Sequence, residues 1–371
     1  MHFRYKKIAV KIGSNVLAKA DGTLNVSRIA HLVDQIAFLH KNGVEVVVVS
    51  SGAVAAGRAV LNPLKKTDAV SQRQLWAALG QVKLISRYSD FFGEHGLVCA
   101  QVLTTKENFS SRGHYLNMKN CITTLLENRV IPVVNENDTI SVTELMFTDN
   151  DELSGLIASM VNSEALILLS NVDGVFNTHP DNKNAELVRN IEISEKAPED
   201  AISDKQSDFG RGGMLTKFRI AKKVAGDGIG VHLANGTKEN ILIDLLNENK
   251  DTDHTFFVPN TKSSSGVKKW IGYSDGFAKG KVVVNAGAIR ALNSEKAVSL
   301  LPVGIIKVES EFKTGDLIKI LDESGDTVGL GKAGYGSDKI EKEKKSEKQK
   351  PVIHYDYLYM EKKSDARKLP E

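Results

Sequence analysis

Cysteine is almost missing from this 371-residue chain: Cys99 and Cys121 are the only two. Two thiols support neither a disulfide framework nor, by themselves, a zinc site, and they fit a reducing compartment. An excess of one charge is missing as well. The 49 basic and 46 acidic residues leave a net +3, too little to draw the chain to a nucleic acid or a membrane surface. No stretch approaches the ~18 uncharged apolar residues that a membrane span needs. The first apolar run is short and broken by Lys11, so no signal peptide is expected and the chain is placed in the cytoplasm. There is no solenoid repeat, no Walker A pattern and no Gly-x-Gly-x-x-Gly between a strand and a helix. Gly226, Gly228 and Gly230 have a suggestive spacing, but they follow a helical pattern and precede a strand, as a helix stop and loop would.

What is present is an ordinary globular composition, 41% apolar and 26% charged, with length for one large domain and a small one. From residue 7 to about 250, short apolar runs alternate with helix-period segments. Strands are expected at Lys7 to Ile12, Glu45 to Val49, Leu97 to Val102, Val130 to Val134, Ala165 to Leu169 and Gly230 to Ala234. Helices are expected over Gln72 to Phe92, His114 to Asn128 and Met214 to Ala225, and one earlier helix carries Ile29, Leu32, Val33, Ile36 and Leu39 on one face. This alternation predicts a mostly parallel sheet covered on both faces. The pattern changes near residue 255. A connection is expected over 256–275, followed by short β segments with tight turns at Gly315-Asp316 and Ser324-Gly325-Asp326, the signature of a small β-barrel. The Lys/Glu-rich run 339–350 reads as a solvated loop.

The most informative stretch is Val130 to Asp151. A buried strand turns abruptly into Asn135-Glu136-Asn137-Asp138, and Thr148-Asp149-Asn150-Asp151 then opens a helix. In open α/β sheets the ligand crevice lies beyond the carboxyl ends of the strands. Carboxylates suit an ammonium and amide N–H groups suit a carboxylate, so this cluster fits a small zwitterion. A solvated turn followed by a helix cap would carry the same residues. Lys11-Ile12-Gly13-Ser14 puts an ammonium and free backbone N–H groups at the first strand end, as phosphate requires, or is simply a lysine beside a turn. Ser50-Ser51-Gly52-Ala53 through Gly57 is better explained by packing at a strand-to-helix connection than by anion binding. Gly210-Arg211-Gly212-Gly213-Met214-Leu215-Thr216-Lys217 opens a helix with glycines and a lysine, which suits a polyphosphate or a flexible loop. Ser170-Asn171 follows another strand. Five such loops at strand ends or helix starts favour a nucleotide-dependent transferase over a structural protein.

Together the loops resemble the amino acid kinase family over nearly the whole chain. The likeness rests on Val10-Lys11-Ile12-Gly13-Ser14, Ser51-Gly52-Ala53-Val54-Ala55-Ala56-Gly57, Val134-Asn135-Glu136-Asn137-Asp138, Asp149-Asn150-Asp151 and Gly212-Gly213-Met214-Leu215-Thr216-Lys217. The Ser-Gly-Ala and Asn-Glu-Asn-Asp elements point to the branch that acts on glutamate. The resemblance implies a three-layer αβα sandwich over residues 1–255. It implies an ATP-dependent phosphorylation of the γ-carboxylate of L-glutamate to glutamyl 5-phosphate, with Mg²⁺ on the nucleotide. By the same resemblance, Lys11 and Lys217 contact the phosphoryl group and Asp151 orients them. Ser51, Asn135, Asp138, Asp149 and Asn150 hold glutamate. Lys11, Ser170, Asn171, Arg211, Gly212, Gly213, Met214, Leu215, Thr216 and Lys217 hold ATP. The chain departs from the family pattern at Asn171, where an aspartate is usual, and at Arg211, where a threonine is usual. A homo-oligomer, and hand-off of the product to glutamyl 5-phosphate reductase, are further implications.

Residues 276–361 resemble a PUA domain, through Val303-Gly304-Ile305 and Lys313-Thr314-Gly315-Asp316-Leu317. From Gly276 to Glu371 there are 18 basic and 15 acidic residues, 18 − 15 = +3. A nucleic-acid surface carries a denser basic face, so a regulatory or structural role is expected here rather than RNA binding. The alternatives to the glutamate reading are an RNA-binding protein with a vestigial kinase fold and another acyl-phosphate-forming amino acid kinase.

Overall fold

The structure is a computed structural model that describes residues 2–61, 68–109, 111–140, 150–178, 182, 184–195, 213–261, 266–294 and 297–360. The chain divides into two compact units, Met1–Ser263 and Ser264–Glu371.

The first unit is built on eight strands: β1 (Lys7–Ile12), β2 (Glu45–Ser50), β3 (Cys99–Thr104), β4 (Ile131–Glu136), β5 (Ala165–Ser170), β6 (Asn190–Ile191), β7 (Gly230–Asn235) and β8 (Thr255–Phe257). They lie in the order β3-β4-β2-β1-β5-β7-β8-β6. The run from β3 to β7 is parallel throughout, while β8 pairs antiparallel with β7 and parallel with β6. Successive side chains of a strand point to opposite faces, and both faces here are dry. Ile8, Val10, Ile12, Val46, Val48, Ile131 and Val133 pack with Ile29, Leu32, Leu84, Tyr88, Phe92 and Ile241 in one core. These residues come from the helices Val26–Lys41, Ala69–Glu94 and Ile241–Leu246. Ala9, Val47, Val49, Leu166 and Leu168 face the other way and are equally buried. The helix Asn150–Met160, against β1, β2, β4 and β5, and the helix Met214–Gly226, against β7, cover that side. Helices on both faces of the sheet make the expected αβα sandwich.

Caps explain several helix boundaries. The Asn25 side chain accepts a hydrogen bond from Arg28 N–H, and the helix it opens ends in His40 and Lys41 before Gly43, at φ +88°. Asp68 accepts from Val70 and Ser71 N–H, so the long helix begins three residues before its apolar pattern does. Side-chain acceptors at this position satisfy donors that the first helical turn leaves unpaired.

The second unit carries β9 (Gly280–Val284), β10 (Ile305–Ser310), β11 (Leu317–Leu321), β12 (Thr327–Ala333) and β13 (Ile353–Met360). These form one five-stranded sheet ordered β10-β9-β11-β12-β13, over a core including Val282, Ile318, Ile320, Leu330 and Ile353. Residues 256–275, expected as a connection, contain most of β8 and the short helix Gly266–Gly272, which packs on β13. The run 339–350 is not a plain loop. It holds the helix Ile340–Lys344, whose first residue is buried in the core of this unit. One apolar residue at the head of a charged segment is enough to dock a single turn.

Candidate active site

Parallel pairing brings the carboxyl ends of β1, β2, β4 and β5 to one edge. Ile12 is level with Ser50 and with Leu169, and Val49 with Val134. Residues at and next to these strand ends are polar yet buried: Lys11, Ser50, Ser51, Asn135, Glu136 and Ser170. Buried polar groups carry a desolvation cost unless they are hydrogen-bonded. Here the bonds are made, chiefly to Asp151, Asn150, Tyr88 and Gln81.

The centre is an ion triad. Lys11 points to the face of the sheet covered by the Asn150–Met160 helix, and its Nζ lies 2.5 Å from Asp151 Oδ1. Lys217, in the first turn of the Met214–Gly226 helix, donates to Asp151 Oδ2 at 2.9 Å. Asp151 is fully buried. That burial disfavours its charge, but the two ammoniums outweigh it and hold the carboxyl well below the usual carboxylate range. The buried carboxylate therefore stays ionised between the two lysines. The Gly213 N-cap gives the Met214–Gly226 helix no side-chain acceptor, so its first N–H groups add to a positive helix end. Gly13 must be small at this point. A Cβ there would sit 2.9 Å from the Leu169 carbonyl oxygen and 3.6 Å from Lys11 Nζ.

One residue before Asp151, Asn150 joins three chain segments. Its side-chain amide donates toward Ser50 O at 2.9 Å, Ser51 Oγ at 3.0 Å and Asn135 Oδ1 at 3.1 Å. Two hydrogens face three acceptors, so one acceptor is left able to take a donor from a ligand. Gly52, at φ +104°, lets the chain turn from Ser51 into the next helix. The small residues beyond it serve packing, as expected. Cβ atoms at Gly57 and Gly80 would fall 1.9 Å from Trp76 O and 1.8 Å from Ala53 O, because the helices Ala53–Arg58 and Ala69–Glu94 touch backbone to backbone.

Past the end of β4, Asp138 is buried and takes both Arg73 Nε (3.1 Å) and Nη2 (2.7 Å) on its Oδ1. Gln74 donates to Thr139 O at 3.0 Å, and Asn135 donates to Gln81 Oε1 at 2.8 Å. Ser50 Oγ and the Tyr88 hydroxyl are 2.9 Å apart, and burial pushes the Tyr88 phenol up, so it stays neutral. A cavity of about 300 Å³ opens beside this wall, with Ala77, Gln81, Leu103, Glu136, Asn137 and Asp138 in its lining.

The structure thus gathers Lys11, Asp151 and Lys217 into one cluster, and Ser51, Asn135 and Asn150 into another one residue away along the chain. Asp138 belongs to a third group, with Arg73. Ser170 ends β5 and accepts Gly236 N–H on its carbonyl at 2.8 Å. Asn171 is exposed, with Ser170 Oγ at 3.4 Å from its Oδ1. Gly213, Met214, Leu215 and Thr216 form the half-buried start of the helix that carries Lys217. Asp149, Arg211 and Gly212 lie outside the described residues. Arg73, Gln74, Gln81 and Tyr88 escaped sequence reasoning. They sit inside an amphipathic helix pattern, 65 positions from Asp138 in the case of Arg73, and nothing local marks them.

Residues 6–235 match the model of the amino acid kinase family, and residues 280–355 match that of the PUA domain. The chain belongs to the amino acid kinase family. Its curated relatives include proteins named glutamate 5-kinase. That of Bacteroides thetaiotaomicron is 56% identical over 361 residues, 97% of this chain and 100% of the relative. That of Chlorobaculum tepidum is 45% identical over 360 residues, 97% and 98% of the two chains. That of Maridesulfovibrio salexigens is 41% identical over 336 residues, 90% and 88% of the two chains. Among the described residues, no helix is long and apolar enough to cross a membrane.

Proposed function

We propose that this chain transfers the γ-phosphoryl group of ATP to the γ-carboxylate of L-glutamate, giving L-glutamyl 5-phosphate and ADP, the first step of proline biosynthesis. The observation that carries this reading is the adjacency of Asn150 and Asp151. One residue ties a polar pocket suited to an amino acid, and the next holds two ammoniums suited to a phosphoryl group.

The γ-carboxylate is ionised near neutral pH and needs no base to make it nucleophilic. One of its oxygens bonds to the γ-phosphorus as the bond to the β-phosphate oxygen breaks, and ADP departs with the electron pair. Two anions must approach, and charge spreads over the equatorial oxygens of the group in flight. Lys11 and Lys217 supply cations at that point, and Asp151 keeps them aimed without relaxation during the reaction. The N–H groups of the helix start, at Met214, Leu215 and Thr216, suit the nucleotide phosphates. Asp138 takes the ammonium of glutamate, and Ser51, Asn135 and Asn150 take its α-carboxylate and stem. On this reading Ser170 and Asn171, beyond β5, face the nucleotide, and Asp149, Arg211 and Gly212 complete the two pockets.

Among the described residues there is no cluster of three or more His, Cys, Asp or Glu side chains able to cage a metal, and both oxygens of Asp151 face lysines. Mg²⁺ would on this reading be carried by the nucleotide rather than by a protein cage, and would supply charge neutralisation at the phosphates. A cytoplasmic homo-oligomer that passes its acyl phosphate to a reductase belongs to the same proposal.

The test is ADP release by the purified protein with ATP and Mg²⁺ across a panel of amino acids and their analogues. Release that depends on glutamate is expected. Release with another acid and none with glutamate would replace the substrate.

A further inference from the structure

The long helix Ala69–Glu94 touches the glutamate pocket at three polar points that no motif marks: Arg73 on Asp138, Gln74 on Thr139 O, and Gln81 on Asn135. The Arg73 contact is asymmetric. Nε and Nη2 both donate to Oδ1, at 3.1 and 2.7 Å, while Asp138 Oδ2 takes no hydrogen bond from a described residue. An arginine that only neutralised a carboxylate would commonly engage both oxygens in a fork. Among the described residues, one oxygen takes two hydrogen bonds and the other takes none.

We propose that Arg73 is a positioning residue for substrate recognition. It pairs with the buried Asp138, fixes its rotation through two N–H bonds to one oxygen, and so presents Oδ2 to the ammonium of the substrate. This inference rests on the glutamate reading and adds a residue to it. Three features support it. Asp138 is nearly buried, with 8% of its side chain exposed, so an unpaired charge there would be costly. Gln74, the next residue of the same helix, clamps the carbonyl of Thr139, so the 138–139 turn is held at two points from one rigid element. Gln81, two turns further on, orders Asn135 in the neighbouring cluster. The wall that selects the amino acid is thus set by a helix, and sites mounted on helices or strands hold their geometry better than sites on loops.

A double-mutant cycle with the full-length protein tests this. KM for glutamate, kcat and KM for ATP are measured for the unmodified protein, Arg73→Ala, Asp138→Ala and the double variant, with Arg73→Lys as a fifth. Arg73→Ala is expected to raise KM for glutamate about tenfold, with kcat and KM for ATP within about twofold. In the Asp138→Ala background the same change is expected to raise KM less than twofold, because the residue it acts through is gone. Arg73→Lys, which keeps the charge but offers one ammonium in place of a fixed pair of N–H groups, should recover part of the loss. Equal tenfold effects in both backgrounds would overturn the inference, since Arg73 would then touch the substrate by itself. An unchanged KM in Arg73→Ala would overturn it too. So would a parallel fall in kcat, in ATP affinity and in melting temperature that Arg73→Lys does not relieve, which is what a general folding role produces. Unmodified protein without glutamate-dependent ADP release would instead sink the parent reading, and this inference with it.

Discussion

Replacing Asp151 by Asn tests the centre of the site with almost no change in shape. The carboxylate has Lys11 Nζ at 2.5 Å and Lys217 Nζ at 2.9 Å. At an effective dielectric of ~20 each contact is about 6 kcal/mol of Coulomb attraction, and the desolvation of three charged groups opposes the sum. In Asp151→Asn the burial cost of the lysines remains while the attraction goes. The Nδ2 of the amide would also face one ammonium, donor against donor. Removing one partner of a buried ion pair typically costs ~3–5 kcal/mol, which for a unit of this size is a fall in melting temperature of about 10 °C. The catalytic effect is separate. Lysines no longer held apart and aimed lose part of their transition-state contact, and loss of one such electrostatic stabiliser commonly costs ~10²–10³ in kcat. Glutamate touches other residues, so its KM should move less than about threefold. The pH behaviour follows from the same geometry. The folded carboxyl lies below its ordinary value of 3.8, so its contribution is fully present above that value and is lost as pH falls through the lower folded value. The stability gap between unmodified protein and Asp151→Asn should therefore be flat from about pH 5 to 8 and shrink only below about pH 4. Thermal melts across that range and steady-state ADP release measure both effects. A variant that keeps more than a tenth of kcat, or a stability gap that closes near pH 6, would refute the account of Asp151.

Lys217→Ala should leave KM for glutamate nearly unchanged and lower kcat by ~10²–10³, because its contact forms mainly in the transition state; equal losses in glutamate affinity with an unchanged rate would remove it from the phosphoryl site. Asp138→Ala should raise KM for glutamate at least ~10-fold, the scale of a lost charge-assisted hydrogen bond, with kcat little altered; an unchanged KM would take Asp138 out of the glutamate pocket. Gly80→Ala puts a methyl 1.8 Å from Ala53 O, so the helix pair must separate. A loss of ~1–3 kcal/mol or more is expected in urea unfolding, with KM rising for glutamate in whatever protein remains folded, and a variant as stable as its parent would contradict the backbone contact.

Much of the sheet is legible because buried parallel strands are apolar runs, and the sequence holds five of them beside the half-exposed edge strand β3. Their ends were less so. Apolar patterning stops at Val49, Val134, Leu169 and Ala234, while the ladders continue through Ser50, Glu136, Ser170 and Asn235. Backbone pairing does not depend on side-chain polarity, and the residues beyond the apolar signal are the ones that build the site. The short strands β6 and β8 escaped because two or three residues carry no period. Lys11, Asp151 and Lys217 were gathered from the family resemblance, since spacing alone left each as a lysine or aspartate beside a turn. Arg73 had no signal at all: its meaning depends on a fold that returns the 69–94 helix to the end of β4.

The placement of these residues makes specificity and rate separable. On the proposed reading the cations of transfer come from β1 and the start of the Met214–Gly226 helix, and the binding wall comes from β4 and the Ala69–Glu94 helix. Among the described residues the two sets meet at the start of the Asn150–Met160 helix, where on this reading Asn150 serves one and Asp151 the other. A change in the wall moves the substrate relative to cations that stay where they were. A change in the triad alters the field at a substrate that is still held. Perturbations should therefore divide cleanly, KM for Asp138 and Arg73, kcat for Lys217 and Asp151. The residue expected to break that division is Asn150. Its amide spans Ser50, Ser51 and Asn135 while its backbone sets the first turn that carries Asp151, so Asn150→Ala should raise KM for glutamate and lower kcat together, each by ~10-fold or more, as loss of a half-buried amide facing three acceptors would. A change in only one of the two constants would show that the halves are not joined through this residue.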